Sequence, residues 1–239
     1  MAAGSGIGGG RSRRYRRRRP LPALIVLAIL AVLAAYVWIK VLGDNGDSDK
    51  AISCNAPVAL PTPAPGQPPT TLGEPQDRAA LDRTVPVPPG QVLVRVVNAS
   101  TQRGQAGEVT EALRQLGFAQ VGKPDNDPLY LAAKNAGYEL TCRAQIRFGQ
   151  QGAAAARTLS LVEPCAQLVK DNRQDATVDL ALGKEFDNLR PKSESLRVLE
   201  QLTQWSIDHP EAQGGLQANP QAAPPLDPEQ LKAARETHC

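Results

Sequence analysis

The chain has 239 residues, a formal net charge of +3, four cysteines and only two histidines. Seven arginines lie between Arg11 and Arg19, so the remainder carries −4. A mildly acidic body does not hold a polyanion by bulk charge, and any such binding requires a local cluster. There is no C-x-x-C, and His209 and His238 sit in or beside proline-rich tail, so the ligand spacing of a zinc site is missing.

The first element is the apolar run LPALIVLAILAVLAAYVWI from Leu21 to Ile39, which has no charged residue. At about 1.5 Å per helical residue it spans roughly 30 Å, the thickness of a bilayer's hydrocarbon core. Tyr36 and Trp38 lie at its far end, where amphipathic rings favour the interface. The arginines precede it, while Asp44, Asp47 and Asp49 follow. The positive-inside rule places the N-terminus in the cytoplasm and everything after about residue 43 outside. The run is longer than a cleaved signal peptide's core and lacks a small-residue end, so it reads as an uncleaved single-pass anchor. The arginines Arg11, Arg13, Arg14 and Arg16 to Arg19 read as a topology signal that meets anionic headgroups, with no nucleic-acid role.

Proline clusters from Pro57 to Pro75 mark a semi-rigid linker, and Pro210 to Pro225 reads as tail. A short helix is expected at 75–82. Between these stretches lie roughly 120 residues, enough for one compact domain. Val92 to Val97 alternates as a strand, with Arg95 opposite Val94 and Val96. Asn98 to Thr101 is a turn, Ala106 to Leu116 a helix closed by Gly117, and Phe118 to Val121 a short second strand. An irregular insert follows, partly helical around Leu129 to Asn135. Ala144 to Phe148 is a third strand with Gln145 and Arg147 outward, Gln151 to Val162 a second helix, and Thr177 to Leu182 a fourth strand with Asp179 outward. The fold class is α+β: a β-α-β-β-α-β domain with two helices on one face of a four-stranded sheet and the other face open or lightly covered. Ser193 to Ile207 is an amphipathic helix with Leu196, Leu199, Leu202 and Trp205 on one stripe; it packs on the domain's own sheet or binds a partner. Asp227 and Pro228 open a last short helix as N-cap and first residue.

All four cysteines lie on the outer side, where two disulfides are expected. The third strand and the helix returning along it have similar lengths, at about 3.3 and 1.5 Å per residue. Cys142 and Cys165 therefore reach the same end and are expected to pair, leaving Cys54 with Cys239.

The stretches VLVRVVNASTQRGQAGEVTEALRQLGFAQVG, IRFGQQGAAAARTLSLV and TVDLALGKEF resemble the LytR C-terminal domain family. The shared pattern is the Asn98-Ala99-Ser100 turn, a helix ending Gly117-Phe118, the strand end Arg147-Phe148-Gly149 and the closing Leu182-Gly183-Lys184-Glu185-Phe186. The insert from Asp125 to Thr141 departs from it. The layout of arginine leader, anchor, linker and lone domain is similar to that of actinobacterial envelope proteins in the family, which implies a non-enzymatic role in envelope integrity. The organisation reads as leader 1–20, anchor 21–42, linker 43–90, family domain 91–190, helix 191–209 and tail 210–239.

No serine-histidine-acid set or paired-carboxylate cleft is apparent, so no catalytic residue, cofactor or metal is assigned. If the first strand lies between the third and fourth, Arg95, Gln145, Arg147 and Asp179 converge on the outer sheet face. Forked donors with an amide and a carboxylate suit sugar hydroxyls or acidic groups. The plainer alternative is an Arg95–Asp179 surface ion pair of little weight. Asn98 and Arg103, in the loop after the first strand, complete the candidate set. Expected partners are the membrane and a wall component (peptidoglycan, wall glycopolymer or envelope lipid), or envelope proteins docking on the 193–207 helix or the 98–104 loop. The outer strand positions lack the stacking aromatics of an RNA-binding sheet.

Overall fold

The computed structural model describes residues 25–38, 53–57, 73–130, 138–210, 224–237 and 239. They fall into two compact units, Met1–Asn45 and Gly46–Cys239. In the first, residues 25–38 form helix α1 with exposed side chains. Among the described residues no helix is long and apolar enough to cross a membrane. The arginine leader, the ends of the expected 21–42 span, most of the linker and most of the proline-rich tail lie outside the described residues.

The second unit is built on β1 (Glu74–Pro75), β2 (Leu93–Asn98), α2 (Gln105–Gln115), β3 (Gln120–Val121), β4 (Asp125–Asn126), β5 (Ala144–Phe148), α3 (Ala153–Val162), β6 (Gln167–Lys170), β7 (Val178–Leu182), α4 (Ser193–Asp208) and α5 (Pro228–Arg235). The sheet order is β1-β6-β5-β7-β2-β3, with β4 also on β2. β7 runs parallel to β2 and antiparallel to β5, while β6 runs parallel to β5. The domain is therefore mixed α+β, and its sheet has more strands than the expected four. The long ladder is β6-β5-β7-β2. Its member β6 was not expected, because Gln167 and Lys170 flank only Leu168 and Val169 and no alternation longer than that exists to see. The expected second strand contracts to the two-residue edge β3. Residues 78–83 form turns rather than a helix, with three-apart bonds such as Asp82 N–H to the Ala79 carbonyl at 2.9 Å.

One apolar core joins Val94, Val96, Ile146, Leu180 and Leu182 of the sheet to Val109 and Leu113 of α2 and Leu159 and Val162 of α3. Each such side chain, fully buried, contributes about 1.5–3 kcal/mol. α2 stops where Gly117 takes φ 91°, a left-handed conformation that β-carbon sterics disfavour in other residues.

The opposite sheet face is covered, and at β5 and β7 more than lightly. β5 and β7 are buried at every position. Val97, Ala99 and Ala181 pack there against Tyr130, Leu140 and Cys142, with Cys54 and Leu129 alongside. Among the described residues the cover is residues 125–130 and 138–142 together with the strap 53–57; the rest of the expected helical stretch from Leu129 to Asn135 lies outside them. Gly183 is what lets the insert close in: a β-carbon there would stand 2.0 Å from the Cys142 carbonyl oxygen.

The disulfides pair Cys54 with Cys142 and Cys165 with Cys239, overturning both expected pairings. The end of α3 does return to the start of β5, but the meeting is made by Arg143, whose Nε donates to Glu163 at 2.8 Å. Side chains alternate along an extended segment, so Cys142 points to the other face, where the strap reaches it. Cys165 stays on the helical side and takes the end of the tail.

α4 packs mainly on other helices, while its Leu199 joins the main core under the sheet. Val198 and Leu202 join Leu161 of α3 and Ala234 of α5 in a third cluster, with Leu226 and Leu231 beside it. The expected stripe turns accordingly: Leu199 and Leu202 are buried, Leu196 is 42% exposed and Trp205 is half-buried. Asp227 caps α5 by accepting from the Glu229 N–H at 2.9 Å, with Pro228 in the first turn.

Candidate functional site

Register assembles the polar face. Arg95 of β2 and Arg147 of β5 both lie directly across from Asp179 of β7. The strand between the other two is thus β7, not the strand of Arg95, which puts the carboxylate at the centre. Arg95 forks onto Asp179, with Nε donating to Oδ1 at 2.9 Å and Nη2 to Oδ2 at 3.0 Å. Arg173, in the loop after β6, donates to Asp179 Oδ2 at 2.8 Å and also forks onto Asp171. Burial pushes the Asp179 carboxyl up, but the hydrogen bonds from Arg95 and Arg173 outweigh it and hold the group below the ordinary aspartate range.

Arg147 turns away from Asp179. Its Nε donates to Gln145 Oε1 at 3.0 Å, and Gln145 Nε2 donates to Gln167 Oε1 at 2.8 Å. Its Nη2 lies 2.7 Å from Asp127 Oδ2, a fully buried carboxylate of the insert; the two meet as charges without an aligned hydrogen bond. The guanidinium also stands over the Tyr130 ring at 5.7 Å.

The strap and insert roof this floor. The Tyr130 hydroxyl donates to the Asn55 carbonyl at 2.5 Å. Asn55 Nδ2 donates to the Glu139 carbonyl at 3.0 Å, and its Oδ1 accepts from the Thr141 N–H at 2.8 Å. Burial pushes the Tyr130 hydroxyl up to about 12, so it stays a neutral donor. The Cys54–Cys142 bond locks the strap in place. Between floor and roof lies a cavity of about 380 Å³. Arg95, Gln145, Arg147 and Asp179 line it, with Gln167, Asp171 and Arg173; Val97, Leu129, Pro57 and Val169 supply apolar wall.

Four of the six expected residues therefore converge, and two do not. Asn98 holds its own turn: Nδ2 donates to the Gln102 carbonyl at 2.8 Å, and Oδ1 accepts from the Ser100 N–H and hydroxyl, each at 3.0 Å. Arg103 is exposed in the following turn, away from the cavity lining. Sequence reasoning missed Asn55, Asp127, Tyr130, Asp171 and Arg173. Asp171 and Arg173 follow the unforeseen β6, and the others sit on segments without periodicity. Among the described residues no group of His, Cys, Asp and Glu is arranged to hold a metal ion.

Comparison with known proteins agrees with this architecture. The family model described as LytR cell envelope-related transcriptional attenuator matches residues 91–186. The cell envelope integrity protein Cei of Mycobacterium tuberculosis is 42% identical over 190 residues, 80% of this chain and 83% of that protein. A crystal structure of the soluble domain of a conserved hypothetical secreted protein from Mycobacterium marinum is 35% identical. It superposes with a TM-score of 0.56 and covers 71% of this chain and all of that one. The chain belongs to the LytR C-terminal domain family, together with the cell envelope integrity protein Cei.

Proposed function

We propose that this protein supports the integrity of the cell envelope without catalysis, by holding a wall glycan or lipid component in the cavity under the Cys54–Cys142 strap. Kinship with Cei supports the envelope role. The cavity itself carries the binding reading, because it places polar and apolar groups together in a concave, pre-formed space. Its charges balance: Arg95, Arg147 and Arg173 stand with Asp127, Asp171 and Asp179. A balanced, hydrogen-bonding floor favours an uncharged, hydroxyl-rich ligand over a polyanion. Arg95 offers the open end of the floor, with its side chain 53% exposed.

In this reading residues 21–42 anchor the chain in the membrane, the arginine leader faces the cytoplasm and the domain faces the wall. The alternative, a scaffold that recruits envelope enzymes through the amphipathic helix, is weakened because α4 spends its buried stripe on α3, α5 and the main core. Sedimentation with purified wall tests the proposal. Arg95→Ala with Gln167→Ala spares the buried Arg147–Asp127 pair. The double variant is expected to lose about tenfold in binding, as for two good hydrogen bonds. Binding equal to wild type refutes the cavity, and protein adducts without wall material on cross-linking favour the scaffold.

A further inference from the structure

A second concavity, of about 430 Å³, opens on the helical side of the domain between residues 82–86, α3 and the start of α5. In its wall one carboxylate serves two guanidinium groups. Arg157 Nη1 and Arg235 Nη1 both reach Asp82 Oδ1, at 3.0 and 2.6 Å. Both arginines are more than nine-tenths buried, and in each the Nε has no hydrogen-bond partner. Arg78 adds a third guanidinium, donating to the Arg235 carbonyl at 2.9 Å. Arg83 and Lys232 line the concavity and are exposed, and neither pairs with a carboxylate among the described residues. Within the lining itself the cations Arg83, Arg157 and Lys232 stand against Asp82 and Glu229. Burial first, and then the neighbouring Arg157, hold Arg235 down at about 10. The rest of the lining is apolar, with Val85, Leu226 and Leu231. In a body of net charge −4 this is a local cluster of the opposite sign.

We propose that this concavity is an anion site, taking a phosphate or carboxylate group carried on an apolar body. Arg83 and Lys232 meet the anion directly. Arg157 and Arg235 supply unbalanced charge from behind Asp82, and the leucines take the apolar part. The site is distinct from the cavity under the strap, so either can fail without the other.

The test is calorimetric titration of the full chain in phosphatidylcholine nanodiscs with hexyl phosphate, inorganic phosphate and hexanol. Hexyl phosphate is expected to saturate one site about tenfold or more tighter than inorganic phosphate, while hexanol shows no saturable binding. Variants at Arg157 or Arg235 would unseat α5. Arg83→Ala with Lys232→Ala touches only exposed side chains; it is expected to weaken hexyl phosphate about tenfold and leave the unliganded melting temperature unchanged. Hexyl phosphate binding no tighter than hexanol, or equal binding by the double variant, overturns the proposal. With a working site, competition by nanodiscs containing phosphatidylglycerol identifies a lipid headgroup as the source. Retention of hexyl phosphate there identifies a soluble phosphorylated molecule.

Discussion

Asp179 shows how one buried carboxylate organises a polar sheet face. Arg95 and Arg173 hold it from two sides, and both keep it ionised against burial. Asp179→Asn keeps the shape and removes the charge. Arg173 retains Asp171 and Arg95 can turn to water, so the loss at pH 7 is expected to be about 2 kcal/mol, less than for an isolated buried pair. The pH dependence follows from the sign. A carboxyl whose folded pKa is depressed contributes stability above its unfolded value of about 3.9, and that contribution is lost as pH falls through the folded value. The gap between wild type and Asp179→Asn is expected to be constant from neutral pH down to about 5 and to narrow below about 4. Denaturant melts at stepped pH check this; a gap that persists at low pH contradicts it. The four cavity residues were legible because period-two alternation tells which positions share a face. Their partners Asp127 and Asn55 were not, because nothing local in an aperiodic segment says which strand it will cover.

At the scale of elements, periodicity located both core helices but not the orientation of α4. Leu196, Leu199, Leu202 and Trp205 share a stripe by spacing, yet the buried positions are Ser195, Val198, Leu199 and Leu202: Val198 and Leu202 against α3 and α5, Leu199 in the main core. Leu202→Ala empties a fully buried site and is expected to cost about 3 kcal/mol. Leu196→Ala, on an exposed position, is expected to stay within about 0.5 kcal/mol. Chemical denaturation separates the two. The strap is an element of another kind, since residues 53–57 have no ladder and depend on Cys54–Cys142, Asn55 and Tyr130. Cys54→Ser with Cys142→Ser is expected to lower stability by up to about 4.5 kcal/mol on the loop-entropy account and to abolish wall binding. The Cys165–Cys239 bond closes a loop of similar length, so Cys165→Ser with Cys239→Ser is expected to lose similar stability while wall binding survives. Equal loss of binding in both variants would remove the strap's special role.

For the whole molecule, the two disulfides have a common logic that spacing alone did not reveal. Each ties a cysteine inside the family region 91–186 to a segment outside it: Cys142 to the upstream strap, Cys165 to the downstream tail. Chain order and strand length placed Cys142 and Cys165 at one end of the domain, and Arg143–Glu163 shows that this placement holds. The face of the sheet is what decides the pairing, and Cys142 lies in the cluster under the strap while Ala166, next to Cys165, lies in the helical core. The flanks are therefore structural parts of the domain. A fragment of residues 91–186 would lose the strap from Tyr130 and Cys142 on one face and α4 and α5 from Leu161 on the other. Uncovering a few such side chains costs several kcal/mol, comparable to the total stability of a domain this size. The fragment is expected to melt without a sharp transition and to show two alkylatable thiols. A fragment of residues 53–239 is expected to melt cooperatively with none. Should the shorter fragment melt sharply with Cys142 joined to Cys165, the sheet does not separate these cysteines, and the flanks are accessories rather than parts of the core.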